Sequence, residues 1–403
     1  MRVVGLTAAV DDAVRRAHRA VYVAFIGSGF AFASWVSRIP QVRDRLDLSP
    51  AALGLLLLSI AAGSVMALPM AGVVVNRIGA ARAVAISAVL FACGLTTAAI
   101  GYTSGIVPAA VGLFFLGYGN GTWDVAMNVQ GAAVERRLGR PVMPRYHAGF
   151  SIGTVAGAVL GSGLVALRMP VTAHLLGVAA VVAVAVPIGV RQFLPAGADE
   201  SAAAQEPART PLAAWREPRT LLIGAFVLCM AFTEGTGNDW LGVAVIDGYH
   251  AAPALGSLAY AVFVAAMTVG RWFGPGVIEV FGRVAALRAS ALVALIGLLL
   301  TVFGQLLGVA YLGTLLWGLG VALGFPIGMS AAADESRPAA GRVSVVASIG
   351  YTAFLAGPPV VGFLGDHVGV LRSLIAVAAV LAVAVPISGA CRPPVTAPQR
   401  PAG

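Results

Sequence analysis

Two polar runs interrupt an otherwise apolar chain, and both carry carboxylates. In the first, Asn120, Asp124 and Asn128 stand four residues apart. On a helix each step of four turns by about 40°, so these side chains form one stripe. In the second, Glu234 and Asn238 share a helical face, while Asp239 points about 140° away from Glu234. An ionisable group set in hydrocarbon costs on the order of 3 kcal/mol or more unless it meets water or a partner. Carboxylates so placed can take up and release protons, and neighbouring amides can hydrogen-bond a polar solute. Glu234 therefore reads either as a group alternating between protonated and charged forms or as a structural hydrogen-bonding group beside Gly235 and Gly237. Asp124 reads either as part of a cavity stripe or as an interfacial carboxylate, about one turn from the end of its apolar window, pairing Arg136 or Arg137. Asp239 has Arg38 as a candidate gating partner, with interface solvation as the alternative.

Trp35, Trp123 and Trp240 lie beside these groups, and an aromatic face next to amides can grip a sugar or a drug-like ring. Tryptophan also collects at membrane interfaces, which is the other reading of Trp35 and Trp240. Gly149, Gly153, Gly157 and Gly161 recur every four residues and would let another helix approach closely. His147 could relay protons or simply contact headgroups. The remaining histidines and Cys93, Cys229 and Cys391 show no metal-ligand spacing. The chain has no lysine and no phosphate-cradling loop followed by Lys-Ser or Lys-Thr, and no hydrolytic triad stands out. ATP-driven transport and enzymatic activity are therefore not expected, and no cofactor is called for.

The elements that must position these residues follow from composition. Mean hydropathy is +0.90, and of 403 residues 59% are hydrophobic and 11% charged. No soluble core of this size hides so much apolar surface. A bilayer core of about 30 Å needs about 20 apolar residues per helical span. Windows of that kind are predicted at Arg19 to Ser37, Leu53 to Val75, Ala81 to Gly101, Ile106 to Asn128, His147 to Leu167, Val171 to Val190, Leu221 to Ile246, Ala254 to Ile278, Val284 to Leu306, Gly308 to Ala331, Val343 to Leu364 and Leu371 to Ile387. These are twelve transmembrane helices of an all-α membrane protein. The net charge is +9, every basic residue is arginine, and the arginines concentrate in short loops. With the N-terminus cytoplasmic, twenty-one arginines fall on that side and five (Arg38, Arg43, Arg45, Arg168 and Arg372) on the other. The positive-inside rule then places both termini in the cytoplasm and calls for an even number of spans. The basic charge is thus assigned to lipid headgroups rather than nucleic acid. No cleavable signal is expected, since the first apolar run has the length of a span. Arg43 to Asp47 reads as a solvated loop turn.

Between residues 191 and 219 the chain turns to Pro, Ala and charge, as in a cytoplasmic linker between residues 1 to 190 and 220 to 403. Pro211 to Arg216 could form a short surface helix or an ordinary loop. The two parts repeat at an offset of about 200 residues. Ser34-Trp35 matches Asp239-Trp240, Gly117-x-Gly119 matches Gly318-x-Gly320, Asn76-x-x-Gly79 matches Glu279-x-x-Gly282, and Ser151-Ile152-Gly153 matches Ser348-Ile349-Gly350. Six-span halves joined by a cytoplasmic linker are the parallel-repeat plan of secondary transporters.

The loop Gly72-Val-Val-Val-Asn76-Arg77-Ile-Gly79-Ala-Ala-Arg82 resembles the Gly-x-x-x-Asp-Arg-x-Gly-x-x-Arg motif of the major facilitator superfamily. Asn76 replaces the aspartate, and the equivalent loop keeps Glu279, Gly282 and Arg283, so a gating carboxylate falls to Glu279 rather than Asn76. Ala33 to Pro40, Trp123 to Gln130 and Glu234 to Trp240 resemble a bacterial inner-membrane branch related to fucose and proton symporters. The resemblance implies two pseudo-symmetric six-helix bundles and a monomeric, proton-coupled permease that moves a small polar solute, a sugar among the candidates, by alternating access. Under it Asn120, Trp123, Asn238, Asp239 and Trp35 bind substrate, and Glu234 and Asp124 carry protons. Gly72, Asn76, Arg77, Gly79, Arg82, Glu279, Arg283 and Arg38 form gates and loop contacts. Efflux of amphipathic compounds coupled to protons, or a receptor or scaffold that transports nothing, are the alternatives.

Overall fold

A computed structural model describes residues 2–139, 142–195, 214–334 and 339–393. Spans one to six are Arg2–Val36, Pro50–Ile78, Ala80–Gly101, Ile106–Leu138, Met143–Ala166 and Val171–Gly189. Spans seven to twelve are Pro218–Tyr249, Pro253–Phe281, Arg283–Phe303, Leu307–Val321 continued by Gly324–Ala332, Ala339–Val368 and Val370–Ile387. No strand occurs among the described residues. Eleven of the helices are long and apolar enough to cross a membrane by length and composition. The exception is span four, 33 residues long, whose polar stripe dilutes its hydropathy. Most of the linker, residues 196–213, and with it Pro211 and Leu212 of the candidate surface helix, lies outside the described residues.

Three boundaries differ from the apolar windows. Span four runs ten residues past Asn128, because Glu135, Arg136 and Arg137 favour helix without favouring lipid, and it stops at Gly139 with φ +61. The Arg43 run is a helix, Ile39–Leu46, rather than a loop turn. Pro40 opens it, Asp47 closes it at φ +50, and Ile39, Pro40 and Val42 are buried. Span ten is broken at Ala322 and Leu323, since Pro326 has no N–H to give the Ala322 carbonyl four residues earlier.

The helices before the linker pack into one bundle and those after it into a second, with matching partners: span one on five as seven on eleven, three on four as nine on ten, and two on four as eight on ten. The repeat extends to single close approaches. A Cβ on Gly117 would strike the Ile60 carbonyl of span two, and one on Gly318 the Phe263 carbonyl of span eight. Gly94 faces the backbone of Gly112 and Leu116, as Gly297 faces Gly313 and Trp317. Helices in lipid gain contact by bringing backbones together, so a glycine repeated in both halves marks the same crossing twice. The glycine ladder of span five serves this purpose against Tyr22, Ile26, Phe30 and Ser37 of spans one and its end.

Both chain ends lie at one face. His18 Nδ1 and the Tyr146 hydroxyl are 2.6 Å apart there, and Arg219 donates to the Arg392 carbonyl at 2.9 Å. At the opposite, distal face the bundles are joined by spans two and eleven and by five and eight. Gly54 lies against Pro358 and Pro359, and Gly362 against Pro50. Ser257 Oγ donates to the Ser37 carbonyl at 3.0 Å and Ser162 Oγ to the Ala254 carbonyl at 3.3 Å. Arg43 pairs with Asp247. Asp366 of span eleven accepts the Ala51 amide at 3.1 Å and the Ser49 hydroxyl at 3.3 Å, at the start of span two.

Candidate translocation site

Span four holds its polar stripe near mid-length. Asp124 lies fourteen residues before Leu138, a distance of about 21 Å at 1.5 Å per residue. Among the described residues it bonds neither Arg136 nor Arg137. Its carboxylate instead accepts Asn128 Nδ2 at 3.2 Å, while the same nitrogen donates to the Asp124 carbonyl at 2.8 Å. Asn120 Oδ1 accepts Ser28 Oγ from span one at 3.4 Å. All three are half-buried, whereas Gly121, Thr122, Trp123, Ala126 and Met127 between them are buried. The stripe thus looks onto accessible space. Tyr351 of span eleven, from the other bundle, stands within electrostatic reach of Asp124.

Span seven repeats that pattern of exposure, with Glu234, Asn238 and Asp239 half-buried and Thr236, Gly237 and Trp240 buried. Glu234 Oε1 pairs with Arg271 Nη2 of span eight at 2.8 Å. Arg271 Nε also donates to the Ala322 carbonyl of span ten at 3.4 Å. The sequence-based count had placed Arg271 among the loop arginines. It stands instead inside the helix Pro253–Phe281 of span eight, and the signal for it was a lone arginine inside the Ala254 to Ile278 window. His147, exposed at the start of span five, lies within electrostatic reach of Arg271. Tyr260, fully buried on span eight with a hydroxyl that finds no partner among the described residues, senses both Asp239 and Glu234. Neither tyrosine was anticipated. Asp239 forms no hydrogen bond or ion pair among the described residues.

Several expected positions prove to be elsewhere. Trp35, Trp123 and Trp240 are at most 1% exposed, so they form neither an interfacial belt nor an open aromatic face. Trp123 packs edge-on against Phe91 of span three, and in the second bundle Trp317 packs edge-on against Phe263 of span eight. Arg38 does not meet Asp239. It is buried within the first bundle, donating Nε to His174 Nδ1 at 2.9 Å and Nη1 to the Met169 carbonyl at 3.2 Å. Asn76, Arg77, Arg82 and Glu279 are exposed at the terminal face. Arg283 turns away from Glu279 to hold Asp334 at 2.6 Å. Gly79 and Gly282 occupy φ +80 and φ +78, where a side chain strains the backbone. Gly72 meets nothing within 4 Å, so it serves no close helix approach.

Chemically, the arrangement offers amides and carboxylates on one side of the seam and an ion-paired carboxylate with two further polar groups on the other. Residues 20–352 match the family model described as Major Facilitator Superfamily. An "Uncharacterized transporter y4wD" from Sinorhizobium fredii is 31% identical over 371 residues, covering 90% of this chain and 97% of that protein. Among solved structures, the nucleoside transporter NupG superposes with a TM-score of 0.73 at 14% identity, over 92% of this chain and 99% of that one. The E. coli fucose:proton symporter FucP does so with a TM-score of 0.60 at 17% identity, over 92% and 97%.

Proposed function

The chain belongs to the Major Facilitator Superfamily and is a multi-pass membrane transporter, and from that premise we propose that it carries a small hydroxyl-rich solute by alternating access, with a proton as coupling ion. The observation that carries this reading is the matched pair of half-buried polar stripes on spans four and seven, set between bundles that are joined at the distal face. Asn120, Asn128 and Asn238 supply amide donors and acceptors for hydroxyl groups, and Asp124 and Asp239 supply acceptors. A sugar fits this chemistry, as does the ribose of a nucleoside; the fold neighbours are a nucleoside transporter and a fucose:proton symporter. Glu234 takes the proton-coupling role, since its charge is balanced by Arg271 and its neutral form leaves that cation free to shift.

The arginine distribution along the sequence, still strongly uneven once Arg271 is assigned to span eight, supports cytoplasmic termini in a bacterial inner membrane. The protein then rests here with its distal, periplasmic side closed. Burial of the tryptophans withdraws the aromatic surface that efflux of amphipathic compounds would favour. The half-buried stripes argue against a scaffold, which has no use for carboxylates at mid-membrane. A thermal-shift screen of sugars, nucleosides and organic acids identifies the solute class, because a ligand that favours the folded form raises its melting point. Flux of that solute into pH-jumped proteoliposomes tests coupling. Proton-driven uptake is expected to vanish in Glu234→Gln, and unchanged uptake would remove Glu234 from the mechanism.

A further inference from the structure

The break in span ten has an unusual occupant. In an unbroken helix the Ala322 carbonyl would accept the amide of residue 326, but that residue is Pro326, which has none. Ala322 is fully buried, so water does not readily replace the missing donor, and an unsatisfied buried carbonyl is costly. The donor that fills the place is Arg271 Nε, at 3.4 Å. The other end of the same guanidinium holds Glu234, at 2.8 Å. One planar group therefore bridges spans seven, eight and ten, and its rigid fork links the two contacts.

We propose that Arg271 is a positioning residue that ties the hinge of span ten to the charge on Glu234. With Glu234 ionised, the guanidinium is pinned and the Ala322 carbonyl is satisfied. With Glu234 protonated, Arg271 loses its counterion, the carbonyl loses its donor, and the segment Gly324–Ala332 is released to tilt at the terminal face. Among the described residues, Tyr260 on span eight lies within electrostatic reach of Glu234 and also of Asp239, and His147 from span five within reach of Arg271. On span eleven Tyr351 faces Asp124. Among the described residues, Arg271 is the one cation paired with Glu234. The inference rests on the reading that Glu234 exchanges a proton.

Hydrogen exchange of the full chain in lipid nanodiscs tests it, read on peptides covering 318–332 and corrected for the intrinsic pH dependence of exchange. Loss of a charged hydrogen bond at the hinge is expected to speed exchange there by about tenfold in Glu234→Gln and in Arg271→Gln. The double variant should exceed neither single one, because both act through one clamp. Wild-type protection should fall on acidification, Glu234→Asp should keep that dependence, and Glu234→Gln should lack it. Peptides over 87–95 in the first bundle should not change, which separates hinge release from misfolding. If Arg271→Gln does not fold, the pH profiles of wild type, Glu234→Asp and Glu234→Gln still decide the matter. Exchange in Glu234→Gln within twofold of wild type, full additivity, or an unchanged pH dependence in Glu234→Gln would overturn the proposal. Flux distinguishes this from the coupling role: loss of proton-driven uptake with unaltered exchange leaves coupling standing and removes the hinge link.

Discussion

Replacing Gly54 by alanine adds one methyl group where the two bundles touch. The new Cβ would strike the Pro358 carbonyl oxygen and lie 3.0 Å from its carbon and 3.2 Å from Pro359 Cα. All of these are backbone atoms, so no rotamer change relieves the clash, and spans two and eleven must separate. Overpacking of this kind costs about 1 to 3 kcal/mol. The cost falls on the distally closed arrangement alone, because the spans part when that face opens. The closed-to-open ratio should therefore drop by about 5- to 150-fold, as a differential free energy of that size dictates. Spin labels at Arg45→Cys and His367→Cys, both exposed on the distal face, in a background lacking Cys93, Cys229 and Cys391, report this by pulsed electron-electron distance measurement. A longer distance peak should grow in Gly54→Ala. Gly117→Ala is the control, since its Cβ would meet the Ile60 carbonyl within one bundle and should lower thermal stability without moving the distance distribution. An unchanged distribution in a folded Gly54→Ala protein, or the same shift in Gly117→Ala, refutes the argument that this seam is the moving contact.

Three further outcomes are expected. Arg271→Gln or Glu234→Gln alone should lower stability in detergent by about 2 to 3 kcal/mol, because each leaves a partner uncompensated, and the double variant should lose less than the sum of the two; additive losses in thermal unfolding would mean that the pair is not coupled. The Arg342 guanidinium bonded to Glu217, at the entrance to span seven, holds that carboxyl below the usual carboxylate range, with Thr220 helping. A lowered folded value gives stability that is present above the unfolded carboxylate range and lost as pH falls through the folded value. The pair is partly exposed, so Glu217→Gln should cost less than about 1 kcal/mol near neutrality, and the stability curves of the two proteins should converge in acid. Gly79→Ala, at φ +80, should destabilise by about 1 to 3 kcal/mol, whereas Gly72→Ala, with open space around it, should leave the melting temperature unchanged.

Much of the fold is legible in the chain because hydrocarbon imposes its own arithmetic. Apolar length located twelve spans, and the recurrence of Gly117 and Gly119 at Gly318 and Gly320 anticipated the duplicated crossings now seen as close backbone approaches. The stripe on span four and the face on span seven could be read from spacing alone. Three things were not legible for identifiable reasons. Apolar windows end where lipid ends, so they could not show that span four continues past Asn128 as a charged helix. Tryptophan is amphipathic and suits interface, site or core equally well, and burial of Trp35, Trp123 and Trp240 depends on neighbours distant in sequence. Pairings such as Arg38 with His174, or Arg271 with Glu234, join residues 136 and 37 positions apart and carry no local signature.

The contact of Asp366 with the first turn of span two has a thermodynamic corollary. That helix borrows part of its N-terminal cap from the other bundle, since the carboxylate of Asp366 receives the Ala51 amide and the Ser49 hydroxyl. Parting the bundles strips this anion from the positive end of the helix dipole, a loss of about 0.5 to 2 kcal/mol. The Ser49 hydroxyl keeps its own bond from the Ala52 amide, 3.3 Å long. Fraying of residues 50 to 53 thus becomes a built-in reporter of distal opening, and a helix end acts as a spring that draws the two halves back together.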